Sequence, residues 1–260
     1  MIPHAAGHEL IRQAKRDLTL IKMTPDIVCD QLIGAGHVTT LQFAWGGSPG
    51  VGSLYRFRDA VENGWPIKLK LDERSHADMA VAYAAGASRL PFGVIRGYRG
   101  TDTPKINDSI AAIRCPFTGE KLAAVAAIRA DVAIIHAQRA DRSGNVQFWG
   151  ISGVQKEAVM CADKSIVTVE EIVDELLPVA DQVILPNWLL SAVCEVPRGA
   201  HPSYALGYSV RDNSFYAKWS HISADRKRFR TWINCNVVGT DDFAEYMHGI
   251  TEMTSSGHGR

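Results

Sequence analysis

Cysteine is sparse in this chain. Its five cysteines, Cys29, Cys115, Cys161, Cys194 and Cys235, lie far apart and form no Cys-x-x-Cys pair. An odd number at that spacing excludes a disulfide framework or a cysteine zinc site and points to reduced thiols in a cytoplasmic protein. Charge of one sign is missing too: Lys plus Arg and Asp plus Glu are each 28. A balanced chain has no concentrated positive surface, which argues against nucleic-acid or polybasic membrane partners. No apolar run approaches the roughly 18 residues of a membrane span, and no charged, apolar, small-residue series reads as a signal peptide. The zincin pattern His-Glu-x-x-His is absent, so no metal site is expected. Absent as well is any internal repeat or linker. One domain over residues 1–260 is therefore expected, large enough for a sizeable core.

What the sequence does have is alternation of strand and helix. Strands are predicted at Asp17–Met23, Val38–Trp45, Ile67–Leu71, Phe92–Ile95, Ile110–Ile113, Val132–Ile135, Ser165–Val169, Gln182–Leu185 and Leu189–Val196. Helices are predicted at Pro25–Ile33, Leu54–Glu62, Ser75–Ala87 and Val154–Ala162, and over most of Arg211–Asn234, with a frayed tail from Thr251. Ser75 reads as a helix cap with Asp78 in the first turn, and Gly34 and Gly64 as helix stops. Phe92–Ile95 and Val132–Ile135 read as buried strands, and Cys161 and Cys194 as core filler. Repeated β-α units predict an α/β fold, a three-layer sandwich with a mainly parallel sheet.

Several strand ends carry polar residues, and the carboxyl edge of such a sheet is where ligands bind. Asp131–Asn145 (DVAIIHAQRADRSGN) runs from a buried strand into His136, Gln138, Arg139 and Asp141 and closes on Ser143-Gly144-Asn145. It reads equally as an active-site turn or as a plain connection whose Asp and Asn cap their own backbone. Asp72-Glu73-Arg74-Ser75-His76 offers acids, a hydroxyl and an imidazole at a strand-to-helix junction. Its bland reading is that Ser75 caps the helix while Glu73 pairs with Arg74. Arg96-Gly97-Tyr98-Arg99-Gly100 leaves the next strand, and its two arginines suit a carboxylate or phosphate. Trp45–Gly52 is a glycine-rich turn that fits neither dinucleotide fingerprint nor P-loop. Glu62-Asn63-Gly64 ends a helix and is assigned no catalytic role. Gly199–Tyr204, with Tyr208 and Arg211–Asn213, forms a dense polar and aromatic loop, read as solvent-facing or as part of an acyl pocket or partner surface.

Together, Ala5–Leu20, Ala44–Pro66, Asp72–Asp102, Cys115–Asn145, Gly153–Val173 and Val196–Tyr208 resemble the alpha (A) subunit of the family I CoA-transferases, in the glutaconate CoA-transferase branch. The resemblance implies the fold shared with ribose-5-phosphate and glucosamine-6-phosphate isomerase-like proteins. It implies transfer of CoA from an acyl-CoA to a carboxylic acid through a glutamate nucleophile. That glutamate belongs to a beta subunit, so this chain carries no catalytic nucleophile and needs its partner. The CoA thioester is a substrate, and no cofactor is implied. Glu73, Ser75, His76, Arg96 and Arg99 are the residues expected to line the acyl or carboxylate pocket. Met1-Ile2-Pro3 falls where the family's N-terminal strand and glycine-rich turn would be ending. Two rivals share the scaffold: a hydrolase of CoA-linked ring substrates, whose acid would fall near Glu73–His76, and a non-catalytic scaffold subunit.

Overall fold

A computed structural model describes residues 1–47 and 52–255, with the side chains of 251–255 not described. In sequence order the elements are α1 (His4–Arg12), β1 (Leu18–Ile21), α2 (Ile27–Gly34), β2 (Val38–Phe43), α3 (Tyr55–Glu62), β3 (Lys70–Glu73), α4 (His76–Ala87), β4 (Phe92–Ile95), α5 (Thr103–Ile106), β5 (Ile110–Arg114), β6 (Lys121–Ala126), β7 (Ala130–Asp141), β8 (Val146–Phe148), α6 (Gln155–Cys161), β9 (Ala162–Val173), β10 (Val183–Leu185), β11 (Ala192–Glu195), α7 (Asn213–Ala224), α8 (Arg226–Ile233) and α9 (Phe243–Ser255).

Strands β1, β2 and β3 form a parallel sheet in that order, and β7, β9 and β11 form a second parallel set. Helices cover these sheets in the three-layer α/β arrangement predicted from the alternation. Antiparallel pairs add what the alternation did not reveal. Strands β8 and β10 extend the second sheet from β7, and β4, β6 and β5 form a separate antiparallel sheet. Among the described residues, no helix is long and apolar enough to cross a membrane.

One core lies on the β1–β3 sheet, where Ile27, Leu32 and Ile33 of α2 and Leu41 of β2 meet Trp219, Phe229 and Ile233 of α7 and α8. The predicted Arg211–Asn234 helix is two helices, because Asp225 leaves helical geometry and caps α8 through the Arg228 amide at 2.7 Å. Two buried carboxylates organise this core. Helix α2 starts at Ile27 rather than Pro25; Asp26 caps it and takes the Tyr216 hydroxyl at 2.9 Å. Asp30 lies inside α2 yet serves α3, accepting the Arg56 and Phe57 amides at 2.9 Å each and the Trp219 indole at 2.9 Å. Those two amides belong to a first turn whose own cap residue, Leu54, has no side-chain acceptor. Burial raises the Asp30 carboxyl to about 6, although the three donors pull the other way.

Other readings shift. Strand β3 begins at Lys70 rather than Ile67, and β4 exposes Phe92 and Val94 instead of burying them. Cys161 is buried as expected, but Cys194 is exposed. Helix α9 continues through Ser255, past the point where fraying was expected.

Candidate active site

Three strands of the first sheet end at one edge, and the residues that follow them meet there. The Met23 carbonyl after β1 accepts the Ala44 and Trp45 amides after β2, at 3.0 and 3.3 Å. The Phe43 carbonyl accepts the Arg74 amide after β3 at 2.8 Å. Thr24 Oγ1 and His76 Nε2 stand 3.3 Å apart, a bridge between the ends of the first and third strands. This is the carboxyl edge of a parallel sheet, with α4 starting at it.

The turn from β3 into α4 is held from beneath by a buried polar network. Arg74 forks onto Asp72 with two contacts of 3.2 Å, and its other nitrogen reaches Asp78 at 3.3 Å and the Ala126 carbonyl at 3.1 Å. Asn107 donates to Asp72 at 2.7 Å and to the Glu73 carbonyl at 2.9 Å, and Gln42 donates to Asp72 as well. Burial alone would raise the Asp72 carboxyl, but the bonds from Arg74 and Asn107 hold it below its ordinary value. Asp78 is fully buried, and burial raises its carboxyl despite Tyr98 and Arg74. Removing one member of such a buried ionic cluster costs about 3–5 kcal/mol, because the rest is left uncompensated.

Tyr98 closes the network from above. Its hydroxyl donates to Asp78 at 2.9 Å and accepts the Ser75 amide at 2.7 Å. Its backbone has φ of 68°, a left-handed conformation that is uncommon for a bulky side chain. Burial raises the Tyr98 hydroxyl above its ordinary pKa, and Asp78 adds to the shift.

Of the residues expected to form a pocket, Ser75 and His76 lie at this edge together. Ser75 caps α4 by accepting the Asp78 amide at 3.1 Å, while His76 is exposed beside Thr24. Glu73 ends β3 with an exposed side chain that forms no ion pair among the described residues, so the pairing with Arg74 is not made. Arg96 and Arg99 do not join them. Arg96 pairs with Glu120 at 3.1 Å and Arg99 approaches the Lys121 carbonyl at 3.5 Å, both at the β5–β6 hairpin. The residue between the two arginines is the one that reaches the turn. Tyr98 sits between Gly97 and Gly100 just after a strand, and that context was the available signal.

Asp131–Asn145 resolves differently from a strand feeding an active-site turn. Strand β7 continues through the polar run to Asp141, paired with β9 along its length. His136 is fully buried, with Nδ1 at 2.8 Å from Thr168 and Nε2 at 3.0 Å from Glu170. Glu170 also accepts the Arg198 amide at 2.6 Å. Arg139 donates to Glu171 and Tyr208 at 2.7 Å each, under the Trp149 ring. The loop at 196–209 therefore packs on the ends of β7 and β9 and is not a solvent loop; Ala200, His201, Ser203 and Ala205 are buried. Asp141 holds the Asn145 amide at 2.9 Å, which is the self-capping connection.

Glu62 closes α3 and pairs with Arg58 at 3.0 Å on the surface, and Gly64 follows with φ of 66° as a helix stop. In the glycine-rich turn after β2, Ser48–Val51 lie outside the described residues. His4 and His8 are four apart on α1, yet no group of three metal-ligating side chains forms among the described residues.

A parallel sheet whose carboxyl edge carries this turn, with an antiparallel sheet beside it, defines the class of protein. Residues 1–195 match the coenzyme A transferase family model, and the chain belongs to that family. Its place there is with the alpha (A) subunits. It is 60% identical over 252 residues to the alpha (A) subunit of the 3-oxoadipate CoA-transferase of Pseudomonas knackmussii, covering 97% of this chain, 89% of that one. The glutaconate CoA-transferase structure from Acidaminococcus fermentans superposes with a TM-score of 0.87 at 30% identity, over 95% of this chain, 83% of that one. One subunit of a cholesterol ring-cleaving hydrolase of Rhodococcus jostii is more distant, 24% identical over 252 residues, 92% of this chain, 84% of that one.

Proposed function

We propose that this chain, the alpha subunit of a two-chain CoA-transferase, helps to move CoA from an acyl-CoA onto a small oxo-dicarboxylic acid of the 3-oxoadipate kind. The observation that carries the reading is the Glu73–His76 turn, held at the carboxyl edge of a CoA-transferase sheet by Tyr98, Asp78 and Thr24. The acceptor class follows the 60% identity to a 3-oxoadipate CoA-transferase subunit. The beta subunit supplies the glutamate whose carboxylate attacks the thioester carbon and displaces CoA as thiolate, leaving an acyl-glutamyl anhydride. The CoA thiolate then attacks the glutamyl carbonyl of the anhydride and expels the donor carboxylate. The incoming acid attacks the resulting glutamyl thioester, forming a second anhydride and freeing CoA thiolate. That thiolate takes the new acyl group and regenerates the glutamate. The alpha subunit lines the acyl side. Ser75 and His76 face the carboxylate end of the acid, and backbone amides at the strand ends stabilise the thioester oxyanion. The chain works as one unit over residues 1–260, in the cytoplasm.

The test is CoA transfer from succinyl-CoA to 3-oxoadipate by the isolated chain, by an isolated beta subunit, then by the two together. Activity is expected only on mixing, unchanged in Glu62→Ala and at least about tenfold lower in His76→Ala. Full activity of the isolated chain, or a large loss from Glu62→Ala, would overturn the reading. Glu73, exposed and in no ion pair among the described residues, is what favours a hydrolase on the same scaffold. That rival would show thioester hydrolysis without an acceptor acid and no exchange of labelled succinate into acyl-CoA. A scaffold role would show a folded complex with no acyl-CoA binding.

A further inference from the structure

The antiparallel sheet β4–β6–β5 has two unlike faces. On one, Val125, Ala123 and Ile110 are buried against α4, so tightly that a Cβ on Gly93 would stand 2.2 Å from Val81 Cγ1. The register of the two strand pairs places Phe92, Val94, Ala111, Ile113, Leu122 and Ala124 together on the other face. That face carries no charged side chain until Arg96 and Glu120, whose ion pair stands at its hairpin end. It is open: Phe92 and Val94 are each 45% exposed, and Phe117 at the hairpin tip is 93% exposed. A solitary exposed Leu or Val is ordinary, but a whole sheet face of them beside a charged rim is the anatomy of a protein interface.

We infer that this face is where the beta subunit docks, an inference that rests on the two-chain reading above. Position supplies the argument. Strand β4 runs directly into the Arg96–Arg99 turn, from which Tyr98 reaches back to Ser75 and Asp78. Ala126, at the end of β6 and paired with Phe92, gives its carbonyl to Arg74 inside the same network. The apolar face is thus continuous, through backbone and buried hydrogen bonds, with the one edge that a partner must approach to bring a nucleophile. A partner seated here covers apolar surface that water otherwise meets and delivers its glutamate beside Glu73–His76 in a single contact. The Arg96–Glu120 pair becomes its polar rim.

Hydroxyl-radical footprinting of the wild-type alpha–beta complex is the first test, with protection of Phe92 and Leu122 expected relative to the isolated alpha subunit. The second is Val94→Asp in the co-expressed complex, read by native mass spectrometry, with Trp188→Asp in the turn after β10 as control. Val94→Asp should weaken alpha–beta association by about tenfold or more, while the control assembles normally and the variant by itself keeps wild-type circular dichroism. A stable complex in which Phe92 and Leu122 stay reactive would overturn the assignment, as would their protection by self-association of the isolated alpha subunit. Failure of the wild-type chain to bind any beta subunit would instead sink the two-chain reading, and the docking face with it.

Discussion

At the scale of single residues, the candidate site turns on Tyr98. Ser75 and His76 were legible because a serine followed by an acid at the third position marks a helix start at a strand end. Arg96 and Arg99 drew the eye through their charge, yet their guanidinium groups go to the neighbouring hairpin. Tyr98 stayed hidden because its role depends on a left-handed backbone that places the ring back over the turn, and no local propensity encodes that. Its hydroxyl is both donor and acceptor in one partly buried spot, so Tyr98→Phe leaves the Ser75 amide and one Asp78 oxygen without that partner. The expected cost is about 1–3 kcal/mol of stability in denaturant unfolding. In the assembled enzyme, kcat should fall more than KM for the donor rises, because the turn is misplaced while the acyl contacts persist. Unchanged stability together with unchanged kinetics would remove Tyr98 from the site.

Elements show why some strands were read short and why two, β6 and β8, were not read. The polar half of β7 looked like the start of a turn because His136, Gln138 and Arg139 are poor strand formers beside water. They remain in the strand because β9 and the 196–209 loop supply a hydrogen-bond partner to each, a tertiary compensation invisible to any window of sequence. Strand β6 (Lys121–Ala126) was missed for the opposite reason: its alanines carry little β-propensity, and pairing on both sides by β4 and β5 decides the matter. Helix α4 packs more tightly than its alanine-rich sequence conveys. A Cβ on Gly86 would lie 2.1 Å from the Ile128 carbonyl oxygen and 2.9 Å from Cys161 Cβ. The first obstacle is backbone, which cannot rotate aside. Gly86→Ala should therefore destabilise by about 1–3 kcal/mol despite alanine's better helix propensity. A Tm equal to or above that of the wild type would show that α4 is free to move away from the Ile128 backbone and from α6.

Across the whole molecule, the α/β class and the parallel sheets followed from periodicity, while the joining of the N-terminal and C-terminal helices did not. Helix α1 brings His4 and His8, the 196–209 loop brings His201, and α9 brings Tyr246, all buried together. The His8 ring bonds Gln31 of α2 at 3.1 Å and stands edge-on to Tyr246 at 4.6 Å between centroids, with Phe243 and Trp232 beyond and Arg12 and His201 as the titratable neighbours. Burial, reinforced by Arg12 and His201, outweighs the Gln31 bond and lowers the His8 pKa from 6.5 to about 3; burial lowers His4 and His201 too. A histidine depressed in the folded state contributes its full share of stability above pH 6.5. That share is lost as pH falls from 6.5 toward about 3, because only the unfolded chain takes up the proton. For His8 the loss by pH 5 is about 2 kcal/mol. Asp30 acts in the opposite sense: raised to about 6, it holds a proton in the folded state that the unfolded chain has released, so it gains stability as pH falls toward 3.8. Absolute curves mix the two effects, and a variant separates them. In urea unfolding at about pH 7 and about pH 5, His8→Gln should shrink the wild-type difference by about 2 kcal/mol, whatever it costs at the higher pH. An unchanged difference would mean that His8 is protonated in the folded chain or is reached by water, and that α1 and α9 are not sealed together as described.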